Sequence, residues 1–230
     1  MSRILQIETA TTVCSVALAT DGIVVGYKQV DQRNIHAEVI TLYIEELIGA
    51  AGLKYTDLDA IAISCGPGSY TGLRIGVSTA KGLCYALDKP LIAIETLEAM
   101  AYGVIADKSL SIDEKALLCP MIDARRMEVY TALFDSAGNR MKATAAEIID
   151  EQSFSDYLAN QKVLFFGDGA EKCQTVLGSS KNAKFLNGFT NSAIHLTKKA
   201  AGKFAINDFE DVAYFEPFYL KDFLVTSKKA

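Results

Sequence analysis

Glu8-Thr9-Ala10-Thr11-Thr12 puts a carboxylate, three hydroxyls and a run of backbone amides into one short turn between two apolar runs. Such a turn can face phosphate oxygens with its N–H groups while its carboxylate orients a metal-bound water. The same threonines can equally do no more than satisfy the backbone of a hairpin. A second acid, Asp123, ends an apolar run later in the chain, and Phe166-Gly167-Asp168-Gly169-Ala170 adds a glycine turn suited to close approach of a nucleoside or to capping a helix. Glu8, Thr9, Thr11, Asp123, Gly167 and Gly169 are therefore the candidate cleft for a phosphate-bearing or nucleoside ligand. Asp123, Arg125, Arg126 and Glu128 place four charges around one strand turn, where they line that cleft or form a local ion-pair network of small net value.

Histidine sets the limit on mechanism. His36 and His195 are the only two and lie far apart, which excludes HxxxH and HExxH metal sites, and no GxSxG elbow accompanies them. Cys65 before Gly66 reads as a small buried thiol at a strand end. No catalytic or metal-ligating residue is assigned.

Gly66-Pro67-Gly68-Ser69-Tyr70-Thr71-Gly72 follows a short apolar run and opens a helical pattern. A Walker A loop would end in Lys, whereas Leu73 and Arg74 stand there, so a triphosphate P-loop does not fit. Two readings stay open. One is a dinucleotide loop with Glu95 as the ribose-binding acid; the other is a structural hinge that aims the following helix. That helix carries glycines costing up to about 1 kcal/mol each against alanine. Gly72, Gly76 and Ala80 form one row, and Ser78, Gly82 and Ala86 a neighbouring one, so two strips are nearly bare backbone. Either the helix packs tightly on its own sheet, or a strip receives a helix from another protein.

These groups need elements to position them. Arg3 to Gln6, Val13 to Ala19 and Ile23 to Gln29 read as an antiparallel meander with Asp21-Gly22 at its second turn. A helix over 35–51, the strand 61–64, the glycine helix, the strand 91–94 and a helix capped by Thr96 complete a βββαβαβα order. After a polar connector at 108–114 the order repeats: strands at 117–122, 127–134 and 140–144, a helix near 153–160, a strand at 163–166, a helix after Gly169, a strand at 184–186, and a helix over 192–204. The chain is thus expected to form two similar lobes, 1–107 and 108–230, Glu8 and Asp123 holding equivalent places.

In the helix over 35–51, eight apolar residues including Ile35, Val39, Leu42, Tyr43 and Leu47 fan across roughly 240°, well beyond the arc of about 100° that a surface helix buries. The excess marks an association surface unless the glycine helix covers it. Half of the 230 residues are apolar and the net charge is -5, with basic residues scattered apart from Lys228 and Lys229. A lone nucleic-acid binder should carry a clustered basic face, so a partner is expected to grip any RNA this protein serves. Five cysteines without CxxC spacing read as reduced thiols of a cytoplasmic protein, and neither a signal peptide nor a membrane span is expected.

ILQIETATTVCSVAL, SCGPGSYTGLRIGVSTAKGL, MIDARRMEVYTALF and EPFYLKDF, in this order, resemble the TsaB (YeaZ) family, bacterial accessory proteins of threonylcarbamoyladenosine synthesis on tRNA. The resemblance implies an α/β fold of the actin-like ATPase (ASKHA, ribonuclease H-like) class. It also implies pairing with the paralogue TsaD, which transfers the threonylcarbamoyl group to an adenosine beside the anticodon, and with the ATPase TsaE. Such a protein is a non-catalytic scaffold, meets tRNA only through the complex, and can form homodimers through overlapping surfaces. The family's TsaD interface falls on the first two helices, which makes Ile35, Val39, Tyr43, Leu47, Gly72, Arg74, Gly76, Val77 and Lys81 the expected contact residues. Glu8 stands where actin-like ATPases place aspartate, and the resemblance implies a residual nucleotide cleft at Glu8, Thr9, Thr11, Asp123, Gly167 and Gly169 that takes ATP or ADP with Mg2+ at most weakly, with no cofactor required. The rival is a dinucleotide-dependent enzyme built on the 66–72 loop, or a weak ATPase.

Overall fold

The computed structural model describes residues 1–221, so Lys228, Lys229 and the end of the EPFYLKDF segment lie outside the described residues. Strands β1 (Arg3–Glu8), β2 (Val13–Thr20) and β3 (Ile23–Asp31) form the expected meander. Its second turn is tight because Asp21 and Gly22 both take left-handed backbone angles, φ 49° and 75°. Helix α1 (His36–Ala50) leads to β4 (Ala60–Ser64), α2 (Tyr70–Leu87), β5 (Leu91–Ile94) and α3 (Thr96–Ala106). β4 is apolar without alternation because it pairs in parallel with both β1 and β5 and is buried throughout. The sheet order is β3-β2-β1-β4-β5.

The second half repeats this plan. β6 (Leu117–Asp123), β7 (Glu128–Phe134) and β8 (Arg140–Ile148) are followed by α4 (Ser155–Leu158), β9 (Val163–Phe166), α5 (Ala170–Leu177), β10 (Ala183–Leu186) and α6 (Thr197–Ala205). Its sheet order, β10-β9-β6-β7-β8, is the order of the first read from the other edge, with the same strand senses. Both lobes thus show the βββαβαβα order of the actin-like class.

Local details depart from the sequence reading. Thr96 is the first helical residue of α3, not its cap; Glu95 is the cap, and the Thr96 hydroxyl instead meets Ser64 Oγ (2.8 Å) and accepts from Gly66 N–H (3.1 Å). The helix near 153–160 shrinks to four residues because Phe154 enters it with φ +60°. The last helix divides into a 3₁₀ turn, Ala193–Leu196, and α6.

The lobes exchange their last helices. α3 sets Leu97, Met100 and Val104 against Leu118, Ile122 and Phe134 of the second sheet. α6 and the 3₁₀ turn set Ala193, Leu196 and Ala200 against Ile4, Ala62 and Ile92 of the first. Polar contacts follow the crossing: Ser15 Oγ accepts from Ala193 N–H (3.1 Å), and Thr197 Oγ1 donates to Gln6 Oε1 (2.9 Å). After α6 the chain returns along α2. Lys81 Nζ donates to the carbonyls of Ala213 (3.2 Å) and Phe215 (2.9 Å), and Phe218 N–H to Cys65 O (2.8 Å). Among the described residues no helix is long and apolar enough to cross a membrane.

Candidate functional site

Glu8 closes β1 with its carboxylate buried, accepting Ala10 N–H at 2.6 Å. Burial raises this carboxyl from its ordinary 4.5 to about 7, against the pull of hydrogen bonds from Ala10, Ser64 and Thr9. Thr9 is fully buried and lies on α2: a Cβ added at Gly72 would stand 2.1 Å from Thr9 O, and one at Gly76 2.2 Å from Thr9 Oγ1. The first glycine row therefore serves close packing of α2 on its own sheet. His36 Nε2 donates to the carbonyls of Thr11 (3.1 Å) and Val13 (3.2 Å), which ties α1 to the same turn.

Asp123 is held by Lys172 Nζ and Arg125 N–H, so its charge is spent locally. Gly167, at φ +101°, and Gly169 lie so close to β6 that a Cβ would stand 2.3 Å from Met121 O and 2.9 Å from the Ile122 carbonyl carbon. Between the lobes lies a cavity of about 50 Å³ lined by Thr11, Thr12, Asp31, Asp168, Phe189 and Asn191 among others. Pockets for small molecules run to about 300 Å³ and more. Of the six expected cleft residues only Thr11 lines this cavity.

The 66–72 loop is filled by the chain itself. A Cβ at Gly66, φ +118°, would meet Phe218 O at 2.5 Å, and one at Gly68 would meet Ala10 O at 2.3 Å. Ser69 N–H is given to Ala10 O (2.7 Å), while Ser69 Oγ caps α2 by accepting from Gly72 N–H (3.2 Å). Glu95, the acid a dinucleotide ribose would need, pairs with Arg140 (3.0 Å) and accepts from Thr144 Oγ1 (2.9 Å). Glu95 and the amides of Gly66, Ser69 and Gly72 are thus engaged within the chain where the loop leads into α2.

The expected contact residues separate into two groups. Leu47, Gly72, Gly76 and Val77 are buried in their own lobe and cannot meet an outside partner, a correction to the sequence reading. Leu47 fills the space above Gly26, where a Cβ would come within 2.9 Å of its Cδ1. Ile35, Val39 and Tyr43 are half-buried along α1, Arg74 is exposed, and Lys81 is partly exposed beside the returning C-terminal segment. The outward ridge of α2 is the second row, Ser78, Gly82 and Ala86, where a Cβ on Gly82 would meet nothing within 4 Å. Beside that row stands Tyr85, 88% exposed, and on α1 stands Leu42, 53% exposed. Sequence reasoning placed Leu42 within the apolar fan without choosing it and passed over Tyr85; its spacing from Ser78 and Gly82 was the available signal. The other histidine, His195, stacks on Phe189 (5.2 Å) and lies against Gly103.

A family model described as TsaD, tRNA N6-adenosine threonylcarbamoyltransferase, matches residues 30–222. The protein named tRNA threonylcarbamoyladenosine biosynthesis protein TsaB from Escherichia coli is 37% identical over 137 residues, 60% of this chain and 57% of that protein. The chain thus spans little more than half the length of that relative. The Bacillus subtilis protein of the same name is 30% identical over 171 residues, 71% of this chain and 70% of its own. A solved structure titled YeaZ from Pseudomonas aeruginosa superposes with a TM-score of 0.77 at 25% identity, covering 96% of this chain and 100% of that one.

Proposed function

We propose a function from one fact: the chain belongs to the family of TsaD, the tRNA N6-adenosine threonylcarbamoyltransferase, and within it to the TsaB (YeaZ) proteins. Its role is in tRNA threonylcarbamoyladenosine biosynthesis. It acts there as a non-catalytic scaffold that docks a TsaD homologue on the face made by α1 and α2, with a TsaE homologue joining the pair and tRNA as the substrate of the assembly.

The observation that carries this reading is the uneven use of the two helices. Their inner rows are consumed by the chain's own packing, yet the α2 ridge stays bare, with Tyr85 exposed beside it and Leu42 exposed on α1. A backbone-level ridge lets a second helix approach closely, and exposed aromatic and aliphatic side chains beside it are the residue types that anchor protein interfaces. Support for a scaffold rather than an enzyme comes from the positive roles already filled: Asp123 and Glu95 are ion-paired, His36 is hydrogen-bonded to the first turn, and His195 stacks on Phe189.

The test is affinity for the purified TsaD homologue. Leu42→Asp and Tyr85→Asp each place a charge in the proposed contact and should weaken pairing by at least about 2 kcal/mol, roughly thirtyfold. Both positions are solvent-facing, so the variants should fold like the parent. No pairing by the parent, or unchanged affinity in both variants, would reject the reading.

A further inference from the structure

We propose that the hairpin tip carrying Arg125 and Arg126, together with Arg74, is a contact surface for the phosphodiester backbone of RNA. The choice of RNA among polyanions rests on the tRNA-directed reading above; the surface itself rests on three observations.

The first is backbone cost. Between β6 and β7 the turn is closed by Ala124 N–H to Glu128 O and Glu128 N–H to Arg125 O, both 3.1 Å. Arg125 and Arg126 take φ +75° and +50°, left-handed angles that glycine adopts freely and bulky residues resist. Both are exposed, so the fold gains no packing from them. Strained positions of this kind cluster where a ligand is held.

The second is the local charge balance. Asp123 is paired with Lys172, and Glu128 with Lys221. No ion pair links Arg125, Arg126 or Arg74 to a carboxylate among the described residues, although Asp168 and Glu216 border the surface. These three exposed residues are cations without a paired carboxylate, and the planar guanidinium fork suits phosphate oxygens.

The third is continuity across the lobes. Lys221, bonded to Glu128 at the foot of the hairpin, lies two residues from Tyr219. Tyr219 accepts from Arg74 Nε (3.4 Å), its ring is 5.0 Å from that of Tyr70, and the Arg74 guanidinium lies 4.3 Å over Tyr70. Arginine set among tyrosines places a cation for phosphates within an aromatic cluster, a combination common to strand-binding surfaces.

The experiment titrates a labelled tRNA transcript with the full chain, alone and in complex with its TsaD paralogue, following fluorescence anisotropy. Arg125→Gly/Arg126→Gly removes the cations and relieves the left-handed positions, so it should fold at least as firmly as the parent. We expect about a tenfold loss of affinity at about 0.1 M salt and a plot of log K against log salt shallower by about two, with Arg125→Lys/Arg126→Lys retaining most of both. Unchanged affinity and slope in the glycine variant would overturn the proposal, as would no measurable RNA binding by the parent in either form. Loss of pairing with the paralogue while RNA affinity is kept would overturn it too and make the tip a protein contact. If the parent fails to pair with TsaD, the scaffold reading falls, but the titration of the chain alone still decides this one.

Discussion

Glu8 and His195 give this molecule two opposed titrations. Burial raises the Glu8 carboxyl from its ordinary 4.5 to about 7, so the folded state holds a proton that the unfolded state has lost, and stability falls as pH rises across that window. Burial lowers His195 from 6.5 to about 4, so the unfolded state takes up a proton first, and stability falls as pH drops from about 6.5 to 4. Each is worth on the order of 3 kcal/mol when fully expressed, and the windows overlap, so the two contributions nearly offset in the parent. Removing one uncovers the other. Relative to the parent, Glu8→Gln should become more stable above pH 7 and show stability rising with pH between 4 and 6.5; His195→Phe should show the opposite slope. Urea unfolding at four or five pH values measures both, and parallel curves for all three proteins would refute the assignment. Sequence alone had marked Glu8 as an acid in a turn, but burial, which turns it from a phosphate-facing carboxylate into a group favouring its neutral form, comes from strands and a helix distant in the chain.

At the scale of the element, α2 shows why glycine spacing was legible while its meaning was not. Two bare rows were readable from Gly72, Gly76 and Ala80 and from Ser78, Gly82 and Ala86, but the sequence could not say which row faced inward. Thr9 decides it by filling the space over Gly72 and Gly76. The two rows should therefore answer to alanine with opposite signs. Gly76→Ala gains helix propensity of about 1 kcal/mol but drives a methyl group into Thr9 Oγ1 and Ile63, an overpacking that costs about 1–3 kcal/mol, for a net loss. Gly82→Ala meets open space and should stabilise the fold by up to about 1 kcal/mol. Denaturant midpoints give both signs, and if both variants shift the same way the row assignment is wrong. The same limit explains Leu47, chosen from the apolar fan for a partner yet spent on covering Gly26 of β3. A fan 240° wide shows that two surfaces must be covered; it does not divide its residues between them.

For the molecule as a whole, the exchange of α3 and α6 makes each sheet depend on the other half of the chain. Leu196, fully buried in the 3₁₀ turn before α6, packs on the first sheet while belonging to the second half of the sequence. Leu196→Ala should cost about 2–5 kcal/mol and lower one cooperative transition for both lobes. Two separated transitions by calorimetry would show the lobes to be independent. Much of this architecture was present in the order of residues: the repeated βββαβαβα plan, the tight turn at Asp21-Gly22, the connector after α3 and the glycine rows all follow from local periodicity and backbone preference, which short segments express by themselves. Tertiary structure alone decided the rest. It packed α3 and α6 across the lobes, filled the glycine loop with Ala10 and Phe218, reduced the interlobe space to a small cavity, and left Leu42, Tyr85 and the arginine tip outward. Those outcomes depend on contacts between residues far apart in the chain, and no local pattern encodes which distant atoms will occupy a given space.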